Sequence, residues 1–315
     1  MSSESSTSHH LPFTTLDVFT STPYTGNPLA LVRIPSSLKD TITQTQKQSI
    51  AKEFNLSETV FFHESKNLDS EVPEWKVDIF TTDEELPFAG HPTIGSATYA
   101  LRILGKVREK GVLITKAGPI PISLQEGGRV QADIPHNTHL HGSTLGQKTA
   151  GKSIAGLSQN SEIRERELSA PLFSIVKGMT FLLVQLPNVE LLGKVEMTGL
   201  SPDSSSALDP EFAPSFVSRY YYVLENEGAG EEVVKIRTRM VEAKLEDPAT
   251  GSAASALSAY LAGKWGRSKR FEIVQGVEMG RRSEIGVSVE VTDGKVKGVR
   301  LSGGAVVVME GSVRI

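Results

Sequence analysis

Two stretches built almost wholly from small residues constrain this chain more than anything else in it. The first is Gly90-His-Pro-Thr-Ile-Gly-Ser-Ala-Thr-Tyr-Ala-Leu101, which reads as a helix from Pro92 onward. The second is Asp247-Pro-Ala-Thr-Gly-Ser-Ala-Ala-Ser-Ala-Leu-Ser-Ala-Tyr-Leu261. A helix rich in Gly, Ala and Ser keeps little side-chain bulk between itself and its neighbours, so surrounding backbone can approach closely, as in the middle of a curled sheet. Short β-compatible runs flank both. Before and after the first lie Phe13–Phe19, Leu29–Ile34, Val60–Phe62, Trp75–Thr81, Val112–Thr115, Ile120–Leu124 and Val130–Ile134. Around the second lie Phe181–Leu186, Ser218–Leu224, Val233–Met240, Phe271–Gln275, Ile285–Val291, Gly298–Gly303 and Ala305–Glu310. Each half therefore holds several short strands and one small-residue helix. The echo of Pro92-Thr-Ile-Gly-Ser-Ala97 in Pro248-Ala-Thr-Gly-Ser-Ala253 suggests duplication. The expected class is α+β, with two similar domains, each a curled, barrel-like sheet around a central helix.

The expected organisation starts with a polar tail, residues 1–11, too poor in apolar groups to order. An N-terminal domain follows over 12–135. Residues 136–170, rich in Gly, Ser, Thr and Gln, read as a linker with a surface insertion. The C-terminal domain covers 171–315, and its last strand can return to the first domain. A helix over 40–54, capped by Asp40, completes the first half. His136, His139 and His141 lie in the linker with no carboxylate close by in sequence, so they read as loop residues and no metal site is expected.

Composition excludes several functions. Of 315 residues, none is cysteine, which removes disulfides, thiolate metal sites and cysteine nucleophiles. The net charge of -4 leaves no basic excess for a nucleic-acid backbone. No run reaches the ~18 apolar residues of a membrane span, and residues 1–10 lack the apolar core of a signal peptide. A cytoplasmic protein is the expectation. Neither a phosphate-binding G-x-x-x-x-G-K-[ST] loop nor a G-x-G-x-x-G turn after a strand is present, so no nucleotide cofactor is expected.

The chemistry concentrates at the entries of the two small-residue helices, Gly90-His91-Pro92 and Asp247-Pro248-Ala-Thr-Gly251-Ser252. A helix N-terminus offers unpaired N–H groups and partial positive charge, suited to a carboxylate. Asp247 before Pro248 fits an N-cap, and either capping or ligand contact would account for it. His91 can donate to a substrate oxygen or be a buried structural histidine. Glu58 lies in Asn55-Leu-Ser-Glu-Thr-Val-Phe-Phe62, between a helix end and an apolar strand. Desolvation there would raise its pKa toward that of a general acid/base; a capping or strand-edge role is the alternative.

At these residues the sequence resembles the PhzF-like family, the phenazine-biosynthesis isomerase-like proteins. The matching segments are Asp17-Val-Phe-Thr20 with Gly26-Asn-Pro28, Ser57-Glu-Thr59, Phe88-Ala-Gly-His-Pro-Thr93, Glu246-Asp-Pro-Ala-Thr-Gly-Ser252 and Val274-Gln-Gly-Val-Glu-Met-Gly280. The resemblance implies the diaminopimelate epimerase fold, with the active site between two similar domains. It implies a cofactor-free isomerase that moves a proton within a small carboxylic acid. Glu58 would be the acid/base, and His91, Asp247, Ser252, Gly90 and Gly251 would bind substrate, with Asn27 and Ser57 as further candidates. A homodimer is also implied. The related epimerases place a cysteine in each domain where Ala89 and Thr250 stand here, so two-thiol racemisation is excluded. Asp78 departs from the family pattern, where an arginine is expected, and so does the length of 136–170. A catalytically inactive binding or scaffold protein and a non-thiol amino-acid epimerase are the alternative functions.

Overall fold

The computed structural model describes residues 10–65, 67–149, 154–226 and 228–315. The expected tail over 1–9, and residues 150–153 of the expected linker, lie outside them. The chain forms two compact units. The first comprises residues up to Tyr24, Pro28–Ala132 and Gly304–Ile315; the second comprises Thr25–Asn27 and Asp133–Gly303.

The first unit contains β1 (His10–Val18), β2 (Asn27–Ile34), α1 (Gln44–Phe54), β3 (Thr59–His63), β4 (Glu74–Phe80), β5 (Glu85–Leu86), α2 (Gly90–Thr98), β6 (Lys110–Thr115), β7 (Gly118–Leu124) and β8 (Val130–Asp133). The second contains β9 (His139–Leu140), α3 (Leu145–Thr149), α4 (Ser161–Ser169), β10 (Leu172–Val176), β11 (Met179–Gln185), α5 (Val189–Gly193), β12 (Phe216–Leu224), β13 (Val233–Val241), β14 (Glu246–Asp247), α6 (Gly251–Trp265), β15 (Lys269–Gln275), β16 (Ser283–Thr292) and β17 (Lys295–Gly303). The last strand, β18 (Ala305–Arg314), belongs to the first unit and pairs antiparallel with β1, Thr14 opposite Glu310. No helix among the described residues is long and apolar enough to cross a membrane.

The two units repeat one topology. In the first, β2 runs parallel to β3, β3 antiparallel to β4, β4 antiparallel to β5 and parallel to β6, with β6, β7 and β8 antiparallel in sequence. In the second, β11, β12, β13, β14, β15, β16 and β17 repeat those relations in the same order. This fixes the internal alignment. Leu86 lies opposite Ile79 and Asp247 opposite Met240. Each central helix then begins at the same distance beyond, at Gly90 and Gly251. Ala89 therefore matches Thr250, and Pro87 matches Pro248. The hexapeptide echo that set Pro92 against Pro248 is out of register.

Both central helices are enclosed as their composition predicts. Every residue of α2 is buried. A Cβ on Gly95 would lie 2.4 Å from Leu29 Cδ2 and 3.1 Å from Val18 Cγ2, so β1 and β2 close on the helix where a side chain is missing. In α6, Ala253, Ala254, Ala256 and Ala259 are buried in the same way.

The outer faces of the sheets carry the remaining helices. In the first unit Ile50 and Ala51 of α1 pack on Val32, Ile34, Phe61 and Phe80. Helix α1 is capped by Thr43 in a capping box with Gln46, and Asp40 sits in the exposed turn before it. The expected start at Asp40 is corrected: Thr43 is the residue whose side chain reaches the first-turn N–H. The expected tail is corrected too, since His10 and Leu11 are in β1 and Leu11 is fully buried.

Among the described residues, 136–149 and 154–170 are part of the second unit and not a surface insertion. Leu145, Leu157 and Ile163 join the apolar cluster on the outer face of the second sheet. Beneath them Glu167 is wholly buried and accepts from the Tyr221 hydroxyl at 2.5 Å, the Ser158 N–H at 2.8 Å and Arg219 Nη1 at 3.3 Å. Arg219 also donates to the Gly156 carbonyl at 2.8 Å and Thr198 Oγ1 at 3.0 Å. The polar composition misleads because a few apolar and charged anchors carry the segment. Removing one member of such a buried pair strands the other charge, at a cost of about 3–5 kcal/mol. Glu167→Leu is expected to lower unfolding free energy by that amount in urea titrations; a change below about 1 kcal/mol would show the segment to be peripheral.

Candidate active site

The residues singled out from the sequence gather into two groups, one in each unit. The first group is Ser57, Glu58, Gly90 and His91. Helix α1 ends at Phe54, and Asn55 takes the left-handed conformation (φ 50°) with its N–H on the Ala51 carbonyl. This turn feeds directly into β3 and sets Glu58 at its start. Alternation then assigns faces: Phe61 packs with α1, while Phe62 meets Tyr99 just past the end of α2. Glu58 shares the α2 side. His91, the second residue of α2 and buried, brings Nε2 to 3.7 Å from Glu58 Oε2, too long for a hydrogen bond. Among the described residues Glu58 Oε2 is buried and has no hydrogen-bond partner. Burial raises the Glu58 pKa, and a hydrogen bond from the Ser57 side chain opposes part of that rise.

Asp78 faces the other way. It lies opposite Phe61, and its Oδ2 is 2.5 Å from Lys47 Nζ of α1 and 2.7 Å from His63 Nε2. Although burial works against it, hydrogen bonds and charge from His63 and Lys47 hold its carboxyl well below the usual range. The departure at this position thus concerns how α1 is anchored and lies away from Glu58.

The second group is Asn27, Asp247, Gly251 and Ser252, to which the structure adds Thr250 and Gln275. Asn27 is buried and donates through Nδ2 to Asp247 Oδ1 at 2.7 Å and to the Ala249 carbonyl at 3.0 Å. The N-cap of α6 is Thr250, not Asp247, which lies in the short strand β14. Thr250 Oγ1 donates to Asp247 Oδ2 at 2.5 Å, so its hydroxyl does not cap the helix. Ala89, its counterpart at α2, has no side-chain acceptor to offer. Neither N-cap residue makes a side-chain hydrogen bond to its helix. Helix α2 begins at Gly90 and not at Pro92; Pro92 falls within the first turn, where a missing N–H is tolerated. Arg281 donates to the carbonyls of Gly26 and Thr25 at 2.8 and 2.9 Å and fixes the turn before Asn27.

His136 lies in a loop, its Nδ1 3.1 Å from the Ile134 carbonyl. To His139 and His141 the fold brings Asp209, supplying the carboxylate missing from their neighbourhood in sequence. His139 Nε2 is 2.7 Å from Asp209 Oδ2, and its ring stacks on Phe212 with centroids 4.3 Å apart. The ligand-capable atoms of His139, His141 and Asp209 lie within 4.8 Å of one another. His141 Nδ1, however, accepts the Asp209 backbone N–H at 2.9 Å, and its Nε2 is 2.9 Å from Ser174 Oγ. A cation would have to displace that backbone N–H. The trio as built ties β9 to the turn at Asp209.

The chain matches the family model "Phenazine biosynthesis-like protein" over residues 16–311. The chain belongs to that family. It is 34% identical to an uncharacterized isomerase of Mesorhizobium japonicum, covering 95% of this chain and 97% of that one. It is 30% identical to the trans-2,3-dihydro-3-hydroxyanthranilate isomerase of Pseudomonas chlororaphis, over 97% and 99% of the two chains. Among solved structures it resembles the Bacillus anthracis phenazine biosynthesis protein of the PhzF family, with a TM-score of 0.70 at 24% identity over 98% and 100% of the chains. Isomerisation is the activity class that the named relatives of this phenazine biosynthesis-like protein share, and the chain is an enzyme of that class.

The raised Glu58 pKa has a consequence for stability. The folded chain binds this proton more tightly than the unfolded chain, whose carboxyl titrates near 4.5. The group's contribution is complete below that value and is lost as pH rises through the raised one. Glu58→Gln is therefore expected to raise the thermal midpoint relative to wild type at pH 8 but not at pH 4. Equal shifts at both pH values would contradict the desolvation.

Proposed function

We propose that this isomerase moves a proton within a small, unsaturated carboxylic acid, with Glu58 as the general acid/base and no cofactor. The observation that carries this reading is the buried Glu58 Oε2, without a hydrogen-bond partner among the described residues and with its pKa raised by burial. A carboxylate in this state is a stronger base than one in water, and once protonated it remains an acid able to return the proton. Glu58 would take a proton from one carbon, the electron pair would shift along the conjugated system, and Glu58, its proton exchanging with water between the two steps, would protonate another carbon. Atoms and electrons balance within the substrate.

His91 would orient the substrate and donate to an oxygen on which charge builds. Asp247, its oxygens ordered by Asn27 and Thr250, would accept a hydrogen bond from a substrate N–H or O–H. Epimerisation between two opposed bases has less support: Ala89 carries no titratable group, and the Thr250 hydroxyl is committed to Asp247. The compound named for the Pseudomonas chlororaphis relative, trans-2,3-dihydro-3-hydroxyanthranilate, is of the right class and is the first substrate to test.

Turnover in deuterium oxide of that compound, and of a panel of cyclic carboxylic acids, tests the reading. Wild type is expected to place deuterium on carbon in the product. Glu58→Gln is expected to lose about 10²–10⁴-fold or more in rate while still being stabilised by the ligand in thermal-shift assays. Wild-type binding of these acids without carbon exchange would favour a binding protein instead.

A further inference from the structure

Gln275 ends β15 and is fully buried, and its carboxamide has its hydrogen-bonding capacity filled. Oε1 accepts from the Tyr220 hydroxyl at 3.0 Å and the Thr250 N–H at 3.2 Å. Nε2 donates to the Asp247 carbonyl at 2.8 Å and to Thr250 Oγ1 at 3.0 Å. A primary amide has two donors and two main acceptor sites, and all four are used here. The arrangement also settles the direction of the next bond. Because Thr250 Oγ1 accepts from Gln275, its own hydrogen is left for Asp247 Oδ2, 2.5 Å away.

The backbone beside Gln275 is shaped for the same contact. Gly276 has φ +74°, and a Cβ there would lie 2.6 Å from both the Pro248 and the Arg281 carbonyl oxygens. Only glycine lets the end of β15 press so closely on the entry to α6. On the far side Tyr220 is held by Thr238 at 3.0 Å, so Gln275 rests on a fixed partner. This explains Gln275-Gly276 within the family-like segment 274–280, to which the sequence alone attached no role.

We infer that Gln275 is a positioning residue that orients Asp247 and the Thr250 N–H at the entry of α6. The inference rests on the proposed function in one respect, that Asp247 binds the substrate. Gln275→Glu keeps the shape and removes both donors. It sets an oxygen against the Asp247 carbonyl and offers the Thr250 hydroxyl a rival acceptor, which turns it away from Asp247.

Hydrogen exchange read by mass spectrometry tests the positioning without any ligand. In Gln275→Glu, amides at 247–252 are expected to exchange at least tenfold faster, while those of α4 and β16 keep wild-type rates. Exchange that rises evenly through the second unit, or does not rise at 247–252, overturns the inference. Binding of 3-hydroxyanthranilate, followed by calorimetry, supplies the second readout. Gln275→Glu and Asp247→Asn should each weaken it about tenfold, and the double variant no more than the weaker-binding single one. Losses that multiply would overturn the route through Asp247. A wild type that binds no such acid counts against the proposed function, and the exchange result alone then decides the role of Gln275.

Discussion

A helix that carries almost no side chains can be wrapped by strands on several sides, and everything else here follows from that. Helix α2 is buried along its whole length, and the missing side chain of Gly95 is filled by Leu29 and Val18. A helix with long side chains would hold the strands farther off and would present its polar groups at a distance. Enclosure also gives each helix a wall around its first turn. Neither Ala89 nor Thr250 caps its helix with a side chain, at the point where each sheet delivers its chemical groups.

The alternation of side chains along each strand separates stability from chemistry. In β3, Phe61 builds the apolar cluster under α1, while its neighbour Phe62 faces the α2 side with Glu58. In β12, Tyr221 bonds to buried Glu167 under α4, while Tyr220 bonds to Gln275 at the α6 entry. Ion pairs with strong partners lie on the outer faces. The inner faces hold Glu58, with one carboxyl oxygen left without a hydrogen-bond partner among the described residues, and Asp247, bonded to Asn27 and Thr250. Desolvation without compensation is costly for folding and useful for proton transfer, and the outer faces supply stability that offsets it.

Periodicity made most strands and both central helices legible, because a small-residue helix and an alternating strand leave distinct patterns. The clustering of Glu58 with His91, and of Asn27 with Asp247, was named from family-like segments and was not visible in spacing. Asn27 and Asp247 are far apart in sequence, and they meet where the turn at 25–27 is tied to Arg281 and Arg282. The segment 136–170 was misread because Glu167 looks like any surface glutamate until Arg219 and Tyr221 close over it. The start of α6 was misread because Asp-Pro is a strong helix-start signal, yet Asp247 was already paired in β14. Gln275 escaped notice because a buried amide has no sequence signature apart from its partners.

The two repeats have also grown apart at one matched position. Asp78 of β4 and Arg239 of β13 occupy equivalent places, and each secures the helix that crosses over its own sheet. Asp78 takes Lys47 of α1, whereas Arg239 takes the carbonyls of Leu192 and Val195 at the end of α5, together with Glu246. Duplicated halves carry a standing hazard, since either crossover helix could dock on either sheet during folding. Here a misplaced α1 would bring Lys47 against Arg239, two like charges in a dry setting, and would leave Asp78 buried alone, an error worth several kcal/mol. The opposite signs at this one position give each crossover helix a partner suited to its own sheet.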